Sequence, residues 1–103
     1  MSAREQYDAL ADEWLRRPEV SLGRSLRNET LTVHGKIFAF LKDDRLVVKL
    51  PAARCAALLA EGAAVPFESG RRRMKEWVAV PAAADPGRWR ELMSEAHGYV
   101  AGR

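Results

Sequence analysis

The sequence predicts a two-layer α+β domain in the order α-β(3)-α-β(2)-α, with its helices on one face of a five-stranded, mainly antiparallel sheet. Three observations predict it. Apolar residues recur at helical spacing at both ends of the chain, and at spacing two through most of the middle. The chain has 103 residues, the size of one domain spanning 1–103. Hydrophobic residues make up 48% and charged residues 30%, the balance of a globular protein rather than of a disordered chain.

Taken in order, residues 3–17 carry Tyr7, Leu10, Ala11, Trp14 and Leu15 on one stripe and charges on the other, an amphipathic helix closed by Pro18. Val20–Asn28 reads either as the start of the first strand or as a loop, because Gly23 and mixed polarity interrupt any period. Around Leu31 and Val33, and then over Arg45–Leu50, the period is two. Lys36–Lys42 is apolar on both sides and reads as a central strand. His34-Gly35 and Asp43-Asp44 are two short polar turns suited to tight hairpins. Pro51 followed by Ala52–Glu61 and Gly62 reads as a short helix with its start and stop signals in place. Ala64–Glu68 and Lys75–Val80 read as strands on either side of a Ser69-Gly70 turn. Asp85-Pro86 is a helix start, and Trp89, Leu92, Met93, Ala96 and Val100 form the stripe that follows. Gly98 weakens that last helix by about 1 kcal/mol relative to alanine.

Helices on one face leave the other face of the sheet to be covered. A regular Lys36–Lys42 strand points Ile37, Ala39 and Leu41 one way and Phe38 and Phe40 the other. Phe38 and Phe40 are therefore the candidate interface, with a homodimer or a protein partner as the expected cover.

Motifs for chemistry are scarce. His34 and His97 stand on different elements, and no His-x-x-x-His, His-Glu-x-x-His or Cys-x-x-Cys spacing occurs, so no metal is expected. The single cysteine, Cys55, lies among alanines and leucines and reads as a small buried hydrophobe rather than a nucleophile. No glycine-rich phosphate loop and no Gly-x-Ser-x-Gly elbow is present, so no cofactor is expected and the chain is not expected to be an enzyme. A minority reading keeps a small ligand cleft lined by His34, Lys36 or Glu76. No apolar run reaches the roughly 20 residues of a membrane span, and the N-terminus has no secretory pattern, so the expected location is cytoplasmic.

One cluster stands out. Arg71, Arg72, Arg73 and Lys75 put four positive charges into five residues, more than the whole net charge of +3. Such a run can grip the phosphates of nucleic acid or an acidic partner. It can equally be the solvated rim of a hairpin, paired with Glu68 and Glu76, and the rim is the preferred reading because short basic runs often mean nothing more. Trp77 falls in an alternating apolar strand and reads as core.

The segments Gly35–Phe40 and Arg45–Pro51 resemble the central hairpin of the TfoX/Sxy N-terminal domain family. Pro66-Phe67 with Arg72-Arg73-Met74-Lys75-Glu76-Trp77-Val78 is similar to its second signature, and Trp89, Leu92, Glu95-Ala96 and Tyr99-Val100 to its closing helix. YjbR/MmcQ proteins are the nearest related group. The resemblance implies a secretion-chaperone-like α+β architecture and a stand-alone domain without the helical second domain of the competence regulator. What it implies is mostly a fold, in a class whose biochemical role is largely undefined. The likeness of YjbR-like relatives to double-wing DNA-binding folds is an analogy of fold only. Ser25-Leu26-Arg27-Asn28 stands where the family often has Met-Phe-Gly, and Arg71 and Arg73 where it often has glycine and proline. The function expected is a non-enzymatic interaction or regulatory module. A nucleic-acid-associated regulator working through the basic hairpin is the alternative.

Overall fold

The computed structural model describes residues 2–25, 28–69, 72–82 and 87–102, with the backbone alone at Ser25, Asn28, Ser69, Arg72 and Arg73. The basic residue Arg71 and the expected Asp85-Pro86 helix start lie outside the described residues.

Helix α1 spans Ala3–Trp14. Ser2 and Glu5 close a reciprocal capping box, each side chain accepting from the other's backbone N–H at 3.1 Å. The helix ends three residues before the expected Arg17. Proline disfavours the α region at the residue before it, here Arg17, and the chain tightens into turns in which Arg16 N–H and Arg17 N–H donate to Glu13 O and Trp14 O.

Six strands follow, one more than expected: β1 (Val20–Ser25), β2 (Asn28–Val33), β3 (Lys36–Lys42), β4 (Arg45–Lys49), β5 (Val65–Ser69) and β6 (Arg72–Pro81). The order is thus α-β(4)-α-β(2)-α, and the sheet runs β1-β2-β3-β4-β6-β5 with every neighbouring pair antiparallel. The extra strand is β1, the segment whose sequence fits strand or loop. Its glycine answers a close approach: a Cβ on Gly23 would sit 2.9 Å from Thr32 Cγ2 and 3.0 Å from Thr30 Oγ1. The two short turns form as read, with positive φ at His34, Asp43 and Asp44, the conformation tight hairpins demand.

Helix α2 (Ala52–Ala60) stops in a Schellman arrangement: Gly62, at φ 75°, donates to Leu59 O and Ala63 to Leu58 O. Helix α3 covers Gly87–Ala101.

All three helical stripes pack on one face of the sheet. Tyr7, Trp14, Leu58, Trp89, Met93 and Val100 are buried against Leu31, Val33, Leu46, Val48, Val78 and Val80. Trp89, 1% exposed, satisfies its indole N–H on Pro81 O at 3.2 Å. Arg90 of α3 forks onto both Glu13 carboxylate oxygens and ties α3 to α1.

Strand β3 departs from regular alternation. Leu31 pairs with Ala39 and Thr32 with Ile37, so Phe38 is an extra residue in a β-bulge. The bulge turns Phe38 and Ala39 both toward the helices, and Ile37 and Phe40 both to the other side. Phe38 is fully buried against Trp14 and His97, with ring centroids 5.6 and 5.5 Å away. The expected Phe38–Phe40 interface is therefore corrected: only Phe40 belongs to the face without helices.

Candidate functional site

Alternation along β3, β4 and β6 composes the helix-free face. Ile37, Phe40 and Lys42 come from β3, Arg45, Val47 and Lys49 from β4, and Trp77 and Ala79 from β6. Val65 and Phe67 of β5 complete it. Trp77 is half-buried here, not part of the helix-side core, because Val78 and Val80 take the core positions of β6.

Three aromatic rings meet on this face. Phe40 lies 5.8 Å from Phe67 and 5.9 Å from Trp77, and Phe67 lies 6.3 Å from Trp77, all inclined rather than stacked face to face. The lysines close over them: Lys42 Nζ is 5.7 Å from the Phe67 centroid, and Lys49 Nζ is 5.7 Å from that of Trp77. Each ammonium keeps its charge in solvent while its stem covers apolar surface.

The carboxylates of the described strands point the other way. Glu76 accepts from the Tyr99 hydroxyl of α3 on the helix side. Glu29 and Glu68 alternate with Thr30 and Phe67 and so face away as well. Asp43 and Asp44 occupy the β3–β4 turn beside Lys42 and Arg45, and partly offset the charge at that end. Lys36 and Lys49 stand at the opposite end. There a cleft of 520 Å³ is lined by Gly35, Lys36, Ile37, Lys49, Trp77 and Val100.

The residues singled out in the sequence are dispersed. Arg72 and Arg73 lie on β6 opposite Ser69 and Glu68, and Lys75 is exposed farther along the strand. Of His34, Lys36 and Glu76, Lys36 lines the cleft, His34 is exposed in the β2–β3 turn, and Glu76 is held by Tyr99. The sequence reading passed over Lys42, Arg45, Lys49 and Trp77 as a set. Their period of two around Phe40 and Val47 was the available signal.

The titratable groups do structural work. Burial raises the Cys55 thiol above its ordinary range, and its S–H donates to Leu50 O at 3.6 Å, so it stays protonated in the core. His97 stacks on Trp14 at 4.7 Å, with Nε2 3.4 Å from Glu19 Oε2, on the helix side of the sheet. Glu19 lies below the usual carboxylate range, first through a hydrogen bond from its own backbone N–H and then through the His97 charge. Among the described residues there is no cluster of three or more His, Cys, Asp or Glu able to hold a metal, and no helix long and apolar enough to cross a membrane. What the open face offers is positive charge beside aromatic surface.

A family model described as YjbR matches residues 15–98, a span that runs from the end of α1 into α3. No match was found to a curated protein or to a solved structure.

Proposed function

The chain belongs to the YjbR family, and on that premise we propose that it is a non-catalytic interaction module whose open sheet face receives an acidic segment of a protein partner at the Trp77 end. The family gives the fold and leaves the partner to be argued from the face itself. One observation carries the reading: at the end of the sheet Lys36 and Lys49 border a cleft walled by Ile37 and Trp77 of the open face and by Val100 of α3, and the strand carboxylates described above are not directed onto the open face. An acidic segment meets charge complementarity there, together with apolar surface for its neighbouring side chains.

Two alternatives fit less well. An isologous homodimer through this face would set the Lys42, Arg45 and Lys49 surface against the same surface of a second copy, a like-charge contact that opposes association. Single-stranded nucleic acid needs free aromatic faces for base stacking, and Lys42 and Lys49 lie over the rings of Phe67 and Trp77. The segments that resemble the TfoX/Sxy hairpin and signature supply β3, β4 and β6, the strands of this face.

Fluorescence anisotropy with a labelled oligoglutamate peptide tests the proposal, with an oligothymidylate strand alongside. The expected result is peptide binding that weakens as salt rises and is lost in Lys36→Ala/Lys49→Ala, with an unchanged circular dichroism spectrum. Binding of the oligonucleotide alone, or no binding of either probe at low salt, overturns it.

A further inference from the structure

A second cleft opens on another side of Trp77, between α2 and the β5–β6 pair. It encloses 340 Å³ and is lined by Ala52, Cys55, Ala56, Met74, Lys75 and Trp77, among others. Its origin is legible in the ladder. Pro66 pairs with Val78, yet Glu68 pairs with Arg73, so one residue of β5 faces four of β6, Met74 to Trp77. Extra residues on one strand push that strand outward and leave space beneath it. Helix α2 does not fill the space, because Ala52 and Ala56, one helical turn apart on the same side, end at Cβ.

The chemistry of the lining is one-sided. Alanine, methionine and indole surfaces make it apolar, and the Cys55 thiol, donating to Leu50 O, adds no charge. Lys75 is the exception. It is exposed and lines the cleft, and it makes no ion pair among the described residues. An apolar slot with a single uncommitted ammonium at its rim selects a molecule with an apolar body and one negative charge. A second charge would have to enter the slot without a partner, which is costly. The volume lies near the lower end of the roughly 300–1,000 Å³ span of small-molecule sites, which sets the size of the apolar body at a short chain or a single ring.

From this geometry we infer that the α2/β5–β6 cleft binds a small amphiphilic monocarboxylate, its apolar part between Ala52, Ala56 and Met74 and its carboxylate on Lys75. This site shares the Trp77 wall with the partner face proposed above but takes its charge from Lys75 rather than from Lys36 and Lys49.

The test is a methyl-resolved NMR titration of the whole chain with octanoate as the probe and octanol as its uncharged counterpart. Octanoate should shift the methyl signals of Ala52, Ala56, Leu59 and Met74 saturably, with octanol about tenfold weaker. Lys75→Met should weaken octanoate by a similar factor and leave octanol unchanged. Ala56→Leu, at an exposed helix position, should abolish binding of both while the thermal melt is retained. Shifts that do not saturate or fall outside the cleft, equal affinities for the acid and the alcohol, or indifference to Lys75→Met would each overturn the inference.

Discussion

The bulge in β3 makes Phe38 and Phe40 energetically different residues, although they are two apart on one strand. Phe38 is fully buried and meets Trp14 and His97 edge-on at 5.6 and 5.5 Å. Phe38→Ala removes a whole ring from a packed core, and a loss of about 3–5 kcal/mol is expected. That is much of the roughly 5–15 kcal/mol available to a domain of this size. Phe40 is 9% exposed, and its neighbours Phe67 and Trp77 are only half-buried, so they can move in to close the gap. Phe40→Ala should cost about 2 kcal/mol. Urea midpoints at constant m-value give both numbers. If Phe38→Ala leaves too little folded protein, Phe38→Leu at about 1 kcal/mol takes its place. Double-mutant cycles sharpen the test. Phe38 should couple to Trp14 by about 0.5–1.5 kcal/mol, as an aromatic edge contact does, and be additive with Trp77 within about 0.5 kcal/mol. Equal costs at the two positions, or coupling of Phe38 to Trp77, would refute the bulge, since both are what a regularly alternating strand produces.

Three further outcomes follow from the same contacts. Gly23→Ala should lower stability by about 1–3 kcal/mol in a thermal melt, because the new Cβ runs into Thr32 Cγ2 and the Thr32 hydroxyl is engaged with Ser21; a melting temperature that holds or rises would mean that the edge strand yields freely. Hydrogen bonds from Arg90 hold the Glu13 carboxyl below the usual range, so its contribution is present above the unfolded value of about 4.3 and fades as pH falls below it. Glu13→Gln should lower the melting temperature slightly at neutrality, and the gap to the parent protein should close as pH falls, which flattens the acid limb; parallel limbs for the two proteins would count against the pair. Burial raises the Tyr7 phenol well above its ordinary range, so its contribution is complete below the unfolded value of about 10 and is lost as pH climbs past it. Absorbance at the phenolate band should report Tyr7 ionising only together with loss of the circular dichroism signal, and Tyr7→Phe should remove that step.

The helices were legible because each buries one continuous stripe. Tyr7, Leu10, Ala11 and Trp14, and Trp89, Leu92, Met93, Ala96 and Val100, are all buried as their spacing predicts. The tight turns were legible because Asp43-Asp44 and His34-Gly35 tolerate positive φ. Strand β1 was ambiguous for a physical reason. It is an edge strand whose Leu22 stays 55% exposed, and the glycine that breaks its pattern is demanded by Thr30 and Thr32 on the neighbouring strand. The side to which Phe38 turns depends on register with β2, a long-range property absent from the local pattern. The basic run attracted notice because its charges are consecutive. The cations of the open face are spread over Lys42, Arg45 and Lys49 and become one surface only when β3 and β4 pair beside β6.

The two irregularities of the sheet bear on both proposed sites. The bulge at Phe38 moves one phenylalanine into the helix-side core and leaves Ile37 and Phe40 on the open face, so that the aromatic surface there stays small enough for Lys42 and Lys49 to cover. A regular β3 would put a second buried-sized ring on the same face as Phe40, and a larger uncovered apolar patch would favour self-association over binding of a charged segment. The interruption of the β5–β6 ladder at Met74 to Trp77 places Lys75 at the rim of one cleft and Trp77 in the wall of both. Bulges sacrifice ladder hydrogen bonds and recur where a side chain must be re-aimed. Restoring either register should therefore strengthen pairing and weaken binding together, whereas a purely structural irregularity would link stability to no ligand at all.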